Sequence, residues 1–499
     1  MLKLRSLLAW MLGLCPCFAQ APLTVASLFT DHAVLQRDMP IPVWGTADRG
    51  TIVTVTFAGQ ERTGLADDNG RWMVRLGPVA GSLEPRSLTV RCAGQDKITR
   101  RDVVVGEVWI CSGQSNMQQT ASRVPEANAL LSKAENLRAF EVPRTCAFTE
   151  QDRCQGSWTA QPPTSAVAFT FAYFLQQHAG LPIGIIHASW GSSSLEAWMP
   201  RDMTETLPHF DRLMSRFDAE EEHRQKIAGM LAGSVPWNDI FMRKQPNILY
   251  NAMIHPLAPY ACRGVVWYQG ERNTAPRISP KTPWLERNAT MRTYGTALKS
   301  WIQRYRKLWS RDDLHFLIVM LPGYAKNIRK RATDPTATSW AWMRESQLQA
   351  LELQHTAVAN TIDLGHLTNI HPTDKLPIGR RLALLAARDT LASKALAQGP
   401  KVRRVEHQDN RLVVHFDHAA GLRSNDGEPP KSFWLATRPG VWLPAEAEIR
   451  GETVVLQSPE LTQPRYVRYA FAGKPTVNLV NEANLPAYPF RTDEFEPGQ

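Results

Sequence analysis

The chain has 499 residues, of which 43% are hydrophobic and 21% charged, a balance that excludes a disordered or fibrous chain and suits several globular domains. It carries 57 Lys and Arg against 47 Asp and Glu, for a net charge of +10. The basic residues are scattered and not interleaved with aromatics, which argues against nucleic-acid binding.

The N-terminus has the pattern of a signal peptide. Lys3 and Arg5 precede an apolar run from Leu7 to Leu14, and Ala19 offers a small residue at the cleavage position. The run is too short to span a bilayer. We therefore expect residues 1–19 to be a cleaved signal peptide, the mature protein to be secreted or periplasmic, and no stable membrane insertion.

The cysteines that remain after cleavage show no pattern of a metal-binding or redox-active site. Cys146 and Cys154 flank a short polar loop and form a candidate disulfide in an exported protein. Cys111 and Cys262 lie in apolar runs, so we expect buried, inert thiols there. The sequence has no CxxC pair and no HExxH motif, and it indicates no metal site.

Residues 20–102 are predicted to form a small β-sandwich domain. Apolar and polar residues alternate in Thr51–Phe57, Arg71–Leu76 and Ser87–Cys92, and turn residues such as Gly70 separate these stretches. Short strands at this spacing are typical of a sandwich.

Residues 103–397 are predicted to form an α/β domain with a parallel sheet flanked by helices. Amphipathic stretches, such as a helix that Thr164 would cap and another over about 377–391, alternate with continuous apolar runs. The runs are Val103–Cys111, Pro182–Ala188, Gly264–Tyr268, Leu314–Leu321 and about Ala357–Leu364. A charged, helix-prone stretch at about 200–250 is predicted to be an insertion over one end of the sheet. Short strands return at 398–499 and indicate a C-terminal β-domain.

Ser115 follows the first strand of this α/β domain. Open parallel sheets place their sites at the carboxyl ends of strands, and Gly113 permits a tight turn there. The surrounding CSGQSNM is not a GxSxG elbow, and a lone serine after a strand more often caps a helix. A nucleophilic serine needs a base, and His371, which follows the last strand and is held extended by Pro372, is the best candidate.

Two further strand ends carry donors for an oxyanion. Gly191 can present an exposed N–H and Gln269 a side-chain amide. Each feature alone fits ordinary turn chemistry, but together with Ser115 and His371 they occupy the ends of four strands of one predicted sheet. That arrangement indicates acyl transfer.

At these residues the chain resembles the sialate O-acetylesterase-like family of carbohydrate esterases, within the SGNH hydrolase group. The matching motifs cover nearly the whole mature chain and are GEVWICSGQSNM at Gly106–Met117, LPIGIIHASWGSSSLEAW at Leu181–Trp198, LYNAMIHPL at Leu249–Leu257, VVWYQGERN at Val265–Asn273 and IHPTDK at Ile370–Lys375, with flanking matches at Leu28–Asp38 and Asn484–Asp493. The resemblance implies an SGNH-type, flavodoxin-like sheet.

The resemblance also implies roles for individual residues. The nucleophile falls on Ser115, the catalytic histidine on His371 and the oxyanion glycine on Gly191, with Gln269 or, less favoured, Asn273 as the polar oxyanion residue. Glu271 matches a family position without an assigned role.

Two positions depart from the family pattern. Many SGNH enzymes carry Asp three residues before the histidine, a stretch that Thr368 and Asn369 occupy in this chain, so the third triad member is open. Asp363 is a candidate to orient His371, and the alternatives are a Ser-His dyad or a His371 held by a backbone carbonyl. Ser192 replaces a second glycine beside Gly191.

The expected reaction is removal of acetyl groups from carbohydrate through an acetyl-enzyme, with no metal or organic cofactor. Acetylated sialic acid is the substrate that the resemblance implies, and acetylated plant polysaccharides such as xyloglucan or xylan are an alternative. A non-catalytic carbohydrate-binding protein is the competing class, against which the intact Ser115, Gly191, Gln269 and His371 argue.

Overall fold

The computed structural model describes residues 21–274, 289–326, 331–335 and 339–495. The expected signal peptide at 1–19 lies outside these ranges. Within them, no helix is both long and apolar enough to cross a membrane.

The N-terminal segment forms short strands where apolar and polar residues alternate. In Arg71–Leu76 every second side chain is buried, since successive side chains of a strand point to opposite faces. The strands are β1 (Val34–Gln36), β2 (Ile41–Thr46), β3 (Ile52–Phe57), β4 (Gln60–Leu65), β5 (Arg71–Leu76), β6 (Ser82–Cys92) and β7 (Ile98–Gly113). β2 pairs with β5, whereas β3, β4 and β6 form a sheet that continues into β7.

The α/β segment is built on a sheet whose strands are buried on both faces, as their continuous apolar runs predict. Its strands after β7 are β8 (Leu137–Glu141), β9 (Trp158–Thr159), β10 (Ile183–Ser189), β11 (Gly264–Tyr268), β12 (His315–Val319) and β13 (Thr356–Ala359). The spatial order is β13-β12-β11-β7-β10-β8-β9, parallel from β13 to β8 and antiparallel only at β9.

β7 joins the N-terminal segment to this sheet as one continuous strand. Its first part pairs antiparallel with β6, and its second part lies parallel between β10 and β11. The predicted domain boundary between residues 102 and 103 therefore falls inside a strand, so a shared backbone ladder fixes the two parts together.

Register at the end of β7 brings three strand ends side by side. Gly113 lies opposite Ser189 at the end of β10 and opposite Tyr268 at the end of β11. The residues that follow these strands therefore emerge at one edge of the sheet.

Helices cover the sheet and fill the connections. The α-helices are α1 (Ser115–Gln118), α2 (Pro125–Asn128), α3 (Ala166–Ala179), α4 (Arg201–Thr206), α5 (Asp211–Ala219), α6 (Glu221–Leu231), α7 (Asp239–Met242), α8 (Glu271–Thr274), α9 (Ala289–Trp309), α10 (Ser339–Leu348) and α11 (Leu376–Thr390). Single turns of 3₁₀ or π helix lie at Ala121–Arg123, Leu131–Lys133, Leu195–Trp198, Pro208–Phe210, Tyr250–Ile254, His255–Leu257 and Gln349–Glu352.

The start of α3 corrects one expectation. Ser165, not Thr164, is the N-cap, since the Ser165 hydroxyl accepts a hydrogen bond from Ala168 N at 3.1 Å. Thr164 instead donates its N–H and its hydroxyl to one oxygen of Glu141. Gly180 ends the helix in the left-handed conformation, as predicted.

The stretch at 200–250 is helical, as expected, and holds α4 to α7. One of its residues reaches the sheet edge: the Trp237 indole stacks on that of Trp190, with 6.4 Å between ring centroids. Trp190 directly precedes Gly191, so this stretch borders the ends of the strands.

The C-terminal segment forms antiparallel strands that dock on the α/β core. They are β14 (Lys401–Gln408), β15 (Arg411–Asp417), β16 (Arg423–Ser424), β17 (Phe433–Ala436), β18 (Leu443–Pro444), β19 (Glu446–Arg450), β20 (Thr453–Gln457), β21 (Tyr466–Tyr469), β22 (Leu479–Val480) and β23 (Phe490–Arg491). They pair as β14-β15-β20-β19, as β18-β17-β21-β23 and as β16-β22. The buried Arg344 of α10 donates to the backbone carbonyls of Ala472 and Gly473, which ties this segment to the core.

The expected disulfide between Cys146 and Cys154 is not formed among the residues that the structure describes. Both thiols are buried, and the Cys154 Sγ lies 3.6 Å from the Ser27 hydroxyl. Cys111 and Cys262 are wholly buried, as predicted, and burial raises the pKa of both thiols.

Candidate active site

Ser115 is presented by a sharp turn between β7 and α1. Gly113 has φ +144°, and a Cβ at this position would lie 2.1 Å from the carbonyl oxygen of Tyr268 in the neighbouring strand. Only glycine fits there, because any side chain would collide with that backbone. Ser115 then opens α1, where N–H groups have no acceptor within the helix.

His371 reaches this serine from the loop between β13 and α11. Its Nε2 lies 2.9 Å from the Ser115 Oγ, within hydrogen-bond distance. Asn369 holds the loop: its Oδ1 accepts from His371 N and its Nδ2 donates to His371 O, both at 2.9 Å. Asn369, which lies in the stretch where many SGNH enzymes carry an aspartate, thus fixes the backbone of His371.

The electrostatics around His371 favour its neutral form. Burial, together with a smaller contribution from the positive charge of Lys375, lowers the pKa of His371. A neutral imidazole can accept the serine proton, whereas an imidazolium cannot.

Asp363 pairs with Arg381 of α11 and makes no hydrogen bond to His371. Its carboxylate accepts two hydrogen bonds from the Arg381 guanidinium, at 2.7 and 2.6 Å. Within the part of the chain that the structure describes, no carboxylate hydrogen bonds to the His371 ring.

Gly191 abuts the nucleophile. A Cβ built on Gly191 would lie 3.3 Å from the Cβ of Ser115, so the two residues touch across the turn. The Gly191 N–H donates to the Gln118 Oε1 at 2.7 Å. The Gln118 amide oxygen therefore sits where an oxyanion bound to Gly191 would lie. The neighbouring Ser192 has φ +60°, a conformation in which the family's usual glycine is unstrained.

Gln269 points inward and not towards Ser115. It is wholly buried, and its Nε2 has acceptors in Gln114 Oε1 at 3.1 Å, Ser193 O at 3.2 Å and Asn273 Oδ1 at 2.8 Å. An amide nitrogen carries two protons, so this donor has none left for a substrate. The structure therefore leaves Gln269 without a free amide proton for the oxyanion contact that the sequence predicts.

Asn273 is held in one orientation by its neighbours. Its Oδ1 accepts from Gln269 Nε2 and from Leu195 N, at 2.8 and 3.0 Å, while its Nδ2 donates to Glu196 Oε2 at 3.3 Å. One Nδ2 proton thus has no acceptor within the described residues. Of the Gln269 and Asn273 side-chain amides, only that of Asn273 therefore keeps an N–H that could donate to an oxyanion.

A buried polar network that the sequence did not indicate links the serine turn to the histidine loop. Asn116 Nδ2 donates to Glu271 Oε1 at 2.6 Å and to Ile370 O at 3.0 Å, and Lys375 Nζ donates to Asn116 Oδ1 at 2.7 Å. Asn116, Glu271 and Lys375 are all buried. Their positions inside three of the matched motifs, at Gly106–Met117, Val265–Asn273 and Ile370–Lys375, were the only available signal.

Burial shifts the pKa values of the two ionisable residues of this network, Lys375 and Glu271. Burial lowers the pKa of Lys375 to about 8, although the negative charges of Asp374 and Glu271 act in the opposite direction. Burial also raises the pKa of Glu271, against the hydrogen bond from Asn116. Lys375 therefore remains largely protonated near neutral pH, beside His371.

The chain is similar over most of its length to proteins named as acetylesterases. No family model matches the chain. Curated relatives include sialate O-acetylesterases of Mus musculus, 27% identical over 84% of this chain and 84% of that protein, and of Homo sapiens, 27% identical over 76% and 74%.

A solved relative covers still more of the chain. The crystal structure of a carbohydrate acetylesterase from Xanthomonas citri is 32% identical, spans 95% of this chain and 100% of its own, and superposes with a TM-score of 0.80. On this likeness the chain belongs to the sialate O-acetylesterase-like family of carbohydrate acetylesterases.

Proposed function

We propose that this protein is a carbohydrate O-acetylesterase that works through a Ser115 acetyl-enzyme. The observation that carries the proposal is the 2.9 Å contact between His371 Nε2 and Ser115 Oγ at the carboxyl edge of the sheet. Family membership supports the acetyl ester of a sugar as the substrate class.

In the first half of the reaction, neutral His371 accepts the Ser115 proton while Ser115 Oγ attacks the acetyl carbonyl carbon. The carbonyl oxygen becomes an oxyanion, and the N–H groups of Ser115 and Gly191 donate to it once the Gln118 amide oxygen has been displaced. Asn273 Nδ2 is the side-chain donor we assign. The imidazolium then protonates the sugar oxygen as the C–O bond breaks, which leaves acetyl-Ser115.

In the second half, His371 takes a proton from water, and the resulting hydroxide attacks the acetyl-enzyme. The same donors bind the second oxyanion, and His371 returns the proton to Ser115 as acetate departs. A Ser-His dyad carries these steps. Instead of a third, acidic residue that orients the imidazole, Asn369 fixes the position of His371 by bonding to its backbone. No step requires a metal or an organic cofactor.

The strand order supports assigning the α/β segment to the SGNH type. Without the edge strands β8 and β9, the parallel strands run β10-β7-β11-β12-β13, which is 2-1-3-4-5 in chain order. Flavodoxin-like sheets share this order. We also propose a sandwich-like N-terminal segment at 20–102, which shares strand β7 with an esterase segment at 103–397, a sandwich-like C-terminal segment at 398–499, and export directed by residues 1–19.

The experiment that tests the proposal is acetate release from a panel of O-acetylated sialic acids and acetylated xylan and xyloglucan oligosaccharides. We expect Ser115→Ala to abolish release, because it removes the hydroxyl that forms the acetyl-enzyme. Ser122→Ala, which changes a serine in the next turn, is the matched control and should retain activity. An active Ser115→Ala variant would contradict the assignment.

The panel also separates the two substrate classes, since release from only one class identifies it. A serine-directed organophosphonate tests the non-catalytic alternative. We expect stoichiometric labelling of Ser115, and a protein that neither labels nor releases acetate would contradict the esterase assignment and favour the non-catalytic class.

A further inference from the structure

A second polar constellation lies beside the nucleophile and is not used in the proposed mechanism. It lines an open cleft of about 590 Å³, within the range of about 300–1,000 Å³ that ligand sites occupy. Its polar lining includes Gln118, Glu141, Arg144, Thr164, His187 and Ser189.

The cleft adjoins the residues that surround the reacting serine. Gln118 lines it and also accepts the hydrogen bond from Gly191 N, while Gly191 touches Ser115. Ser189, which also lines the cleft, ends β10 in register with Gly113 at the end of β7. A group bonded to an acetyl ester at Ser115 therefore has this space next to it.

One wall of the cleft is a preorganised chain of hydrogen bonds. Ser189 Oγ lies 2.7 Å from His187 Nε2, and His187 Nδ1 lies 2.6 Å from Glu141 Oε2. Thr164 donates to Glu141 Oε1 through its N–H at 2.8 Å and its hydroxyl at 2.9 Å. Burial alone would raise the pKa of Glu141, but the bonds from His187 and Thr164 lower it overall, so the carboxylate is ionised.

This wall retains acceptors for a ligand. A carboxylate has about four lone-pair sites, of which Thr164 and His187 fill three, and the Glu141 side chain is 40% exposed. A hydroxyl oxygen has two lone pairs, so Ser189 Oγ can still accept from a ligand whichever atom donates in its 2.7 Å contact with His187 Nε2. The wall thus offers two fixed acceptors.

The cleft also offers a cation. Arg144 is exposed and lines it, and within the described chain its guanidinium makes no hydrogen bond or ion pair. A guanidinium has five donors in one plane. Fixed acceptors and a planar donor in one cleft match neighbouring hydroxyl groups on a ring, each of which both donates and accepts.

We infer that this cleft binds the polyhydroxylated ring of the substrate, with Glu141 and Ser189 accepting from ring hydroxyls and Arg144 donating to ring oxygens. The inference rests on the proposed function and adds to it the place and the chemistry of sugar recognition. It sets the ring on the β8–β10 side of Ser115.

The test compares two esters. The first is the sugar acetate of the panel with the highest kcat/KM, and the second is 4-nitrophenyl acetate, which has no hydroxylated ring. We expect Arg144→Ala and Glu141→Gln each to lower the ratio of kcat/KM for the sugar acetate to that for 4-nitrophenyl acetate about tenfold, which is about 1.4 kcal/mol. A general loss of folding or of the nucleophile would lower both values together and leave the ratio unchanged.

Arg438→Ala is the matched control, since Arg438 is exposed in the C-terminal segment, outside the cleft, and should keep the wild-type ratio. Ratios within about twofold of wild type in both cleft variants would overturn the inference while leaving the esterase assignment intact. Organophosphonate labelling of Ser189 in the Ser115→Ala variant would also overturn it, because Ser189 would then be a second nucleophile. A wild-type protein that hydrolyses neither ester would overturn both proposals.

Discussion

Lys375 places a positive charge beside the histidine that we propose as general base. Its ammonium is buried, bonds to Asn116 Oδ1 at 2.7 Å and lies 5.5 Å from the centre of the Tyr268 ring. The charge disfavours the imidazolium form of His371 and so extends the pH range in which the base is free to act.

We therefore predict that Lys375→Met raises the pKa of His371. Activity is lost on the acid side as the base becomes protonated, so the acid limb of the kcat/KM profile should move to higher pH. The measurement is kcat/KM against pH with 4-nitrophenyl acetate. Lys375→Arg, which keeps the charge, should leave the limb near its wild-type position. A uniform loss of rate without a shift would mean that Lys375 acts only by holding Asn116.

Asp363 gives the second prediction at this scale. Since its carboxylate pairs with Arg381, Asp363→Asn should leave kcat near the wild-type value but reduce the free energy of unfolding by about 1 kcal/mol, as the loss of a partly exposed pair does. Steady-state kinetics and chemical denaturation provide the two readings. A fall in kcat on the order of 10⁴-fold, as when the acid of a Ser-His-Asp triad is lost, would restore Asp363 as the orienter.

At the scale of elements, the turn after β10 carries both a candidate oxyanion donor and a strained residue. Ser192 has φ +60°, which costs a residue with a Cβ about 1–2 kcal/mol. The adjacent Ser193 is different, because its hydroxyl donates to Trp190 O at 2.7 Å and accepts from Trp198 Nε1 at 2.9 Å.

We predict opposite effects at these two serines. Ser192→Gly should increase the free energy of unfolding by up to about 1 kcal/mol, because glycine adopts positive φ without the Cβ clash. Ser193→Gly should decrease it, because it removes two buried hydrogen bonds. Thermal unfolding of both variants checks the pair, and destabilisation by Ser192→Gly would show that its hydroxyl outweighs the strain.

At the scale of the whole molecule, a buried ion pair locks the C-terminal segment. Arg468 donates to both oxygens of Asp493, at 2.8 and 2.7 Å, and to Pro335 O at 2.7 Å. The two side chains are 2% and 0% exposed, so neither charge has solvent to replace its partner.

We predict that Asp493→Asn destabilises the protein by about 3 kcal/mol, because it leaves the Arg468 charge buried without full compensation. Chemical denaturation measures the loss, and the kcat of the folded enzyme should be preserved because the pair lies outside the site. Glu448→Gln, which breaks an exposed pair with Arg450, is the control and should change stability little. A similar small effect at Asp493 would mean that water reaches the pair.

The sequence predicted elements best where burial repeats regularly. The alternation in Arg71–Leu76 and the apolar run Gly264–Tyr268 became strands with those bounds. The ends of the strands are predicted less accurately. The apolar run predicts a last parallel strand that reaches Leu364, but the strand ends at Ala359. The next residue, Asn360, uses its side-chain amide to bind Pro486 O, from a segment more than a hundred residues away.

Within the candidate site, the sequence by itself determined which residues follow the strands, and therefore that Ser115, Gly191, Gln269 and His371 share one edge of the sheet. Parallel strands place their carboxyl ends together whatever else packs around them. The tertiary structure decided where each side chain points: Gln269 turned inward to Asn273, Asp363 to Arg381, and Asn116, Glu271 and Lys375 joined in a buried network. Periodicity encodes the face of a strand, but the direction of a polar side chain depends on which partners, distant in sequence, are close enough to satisfy it.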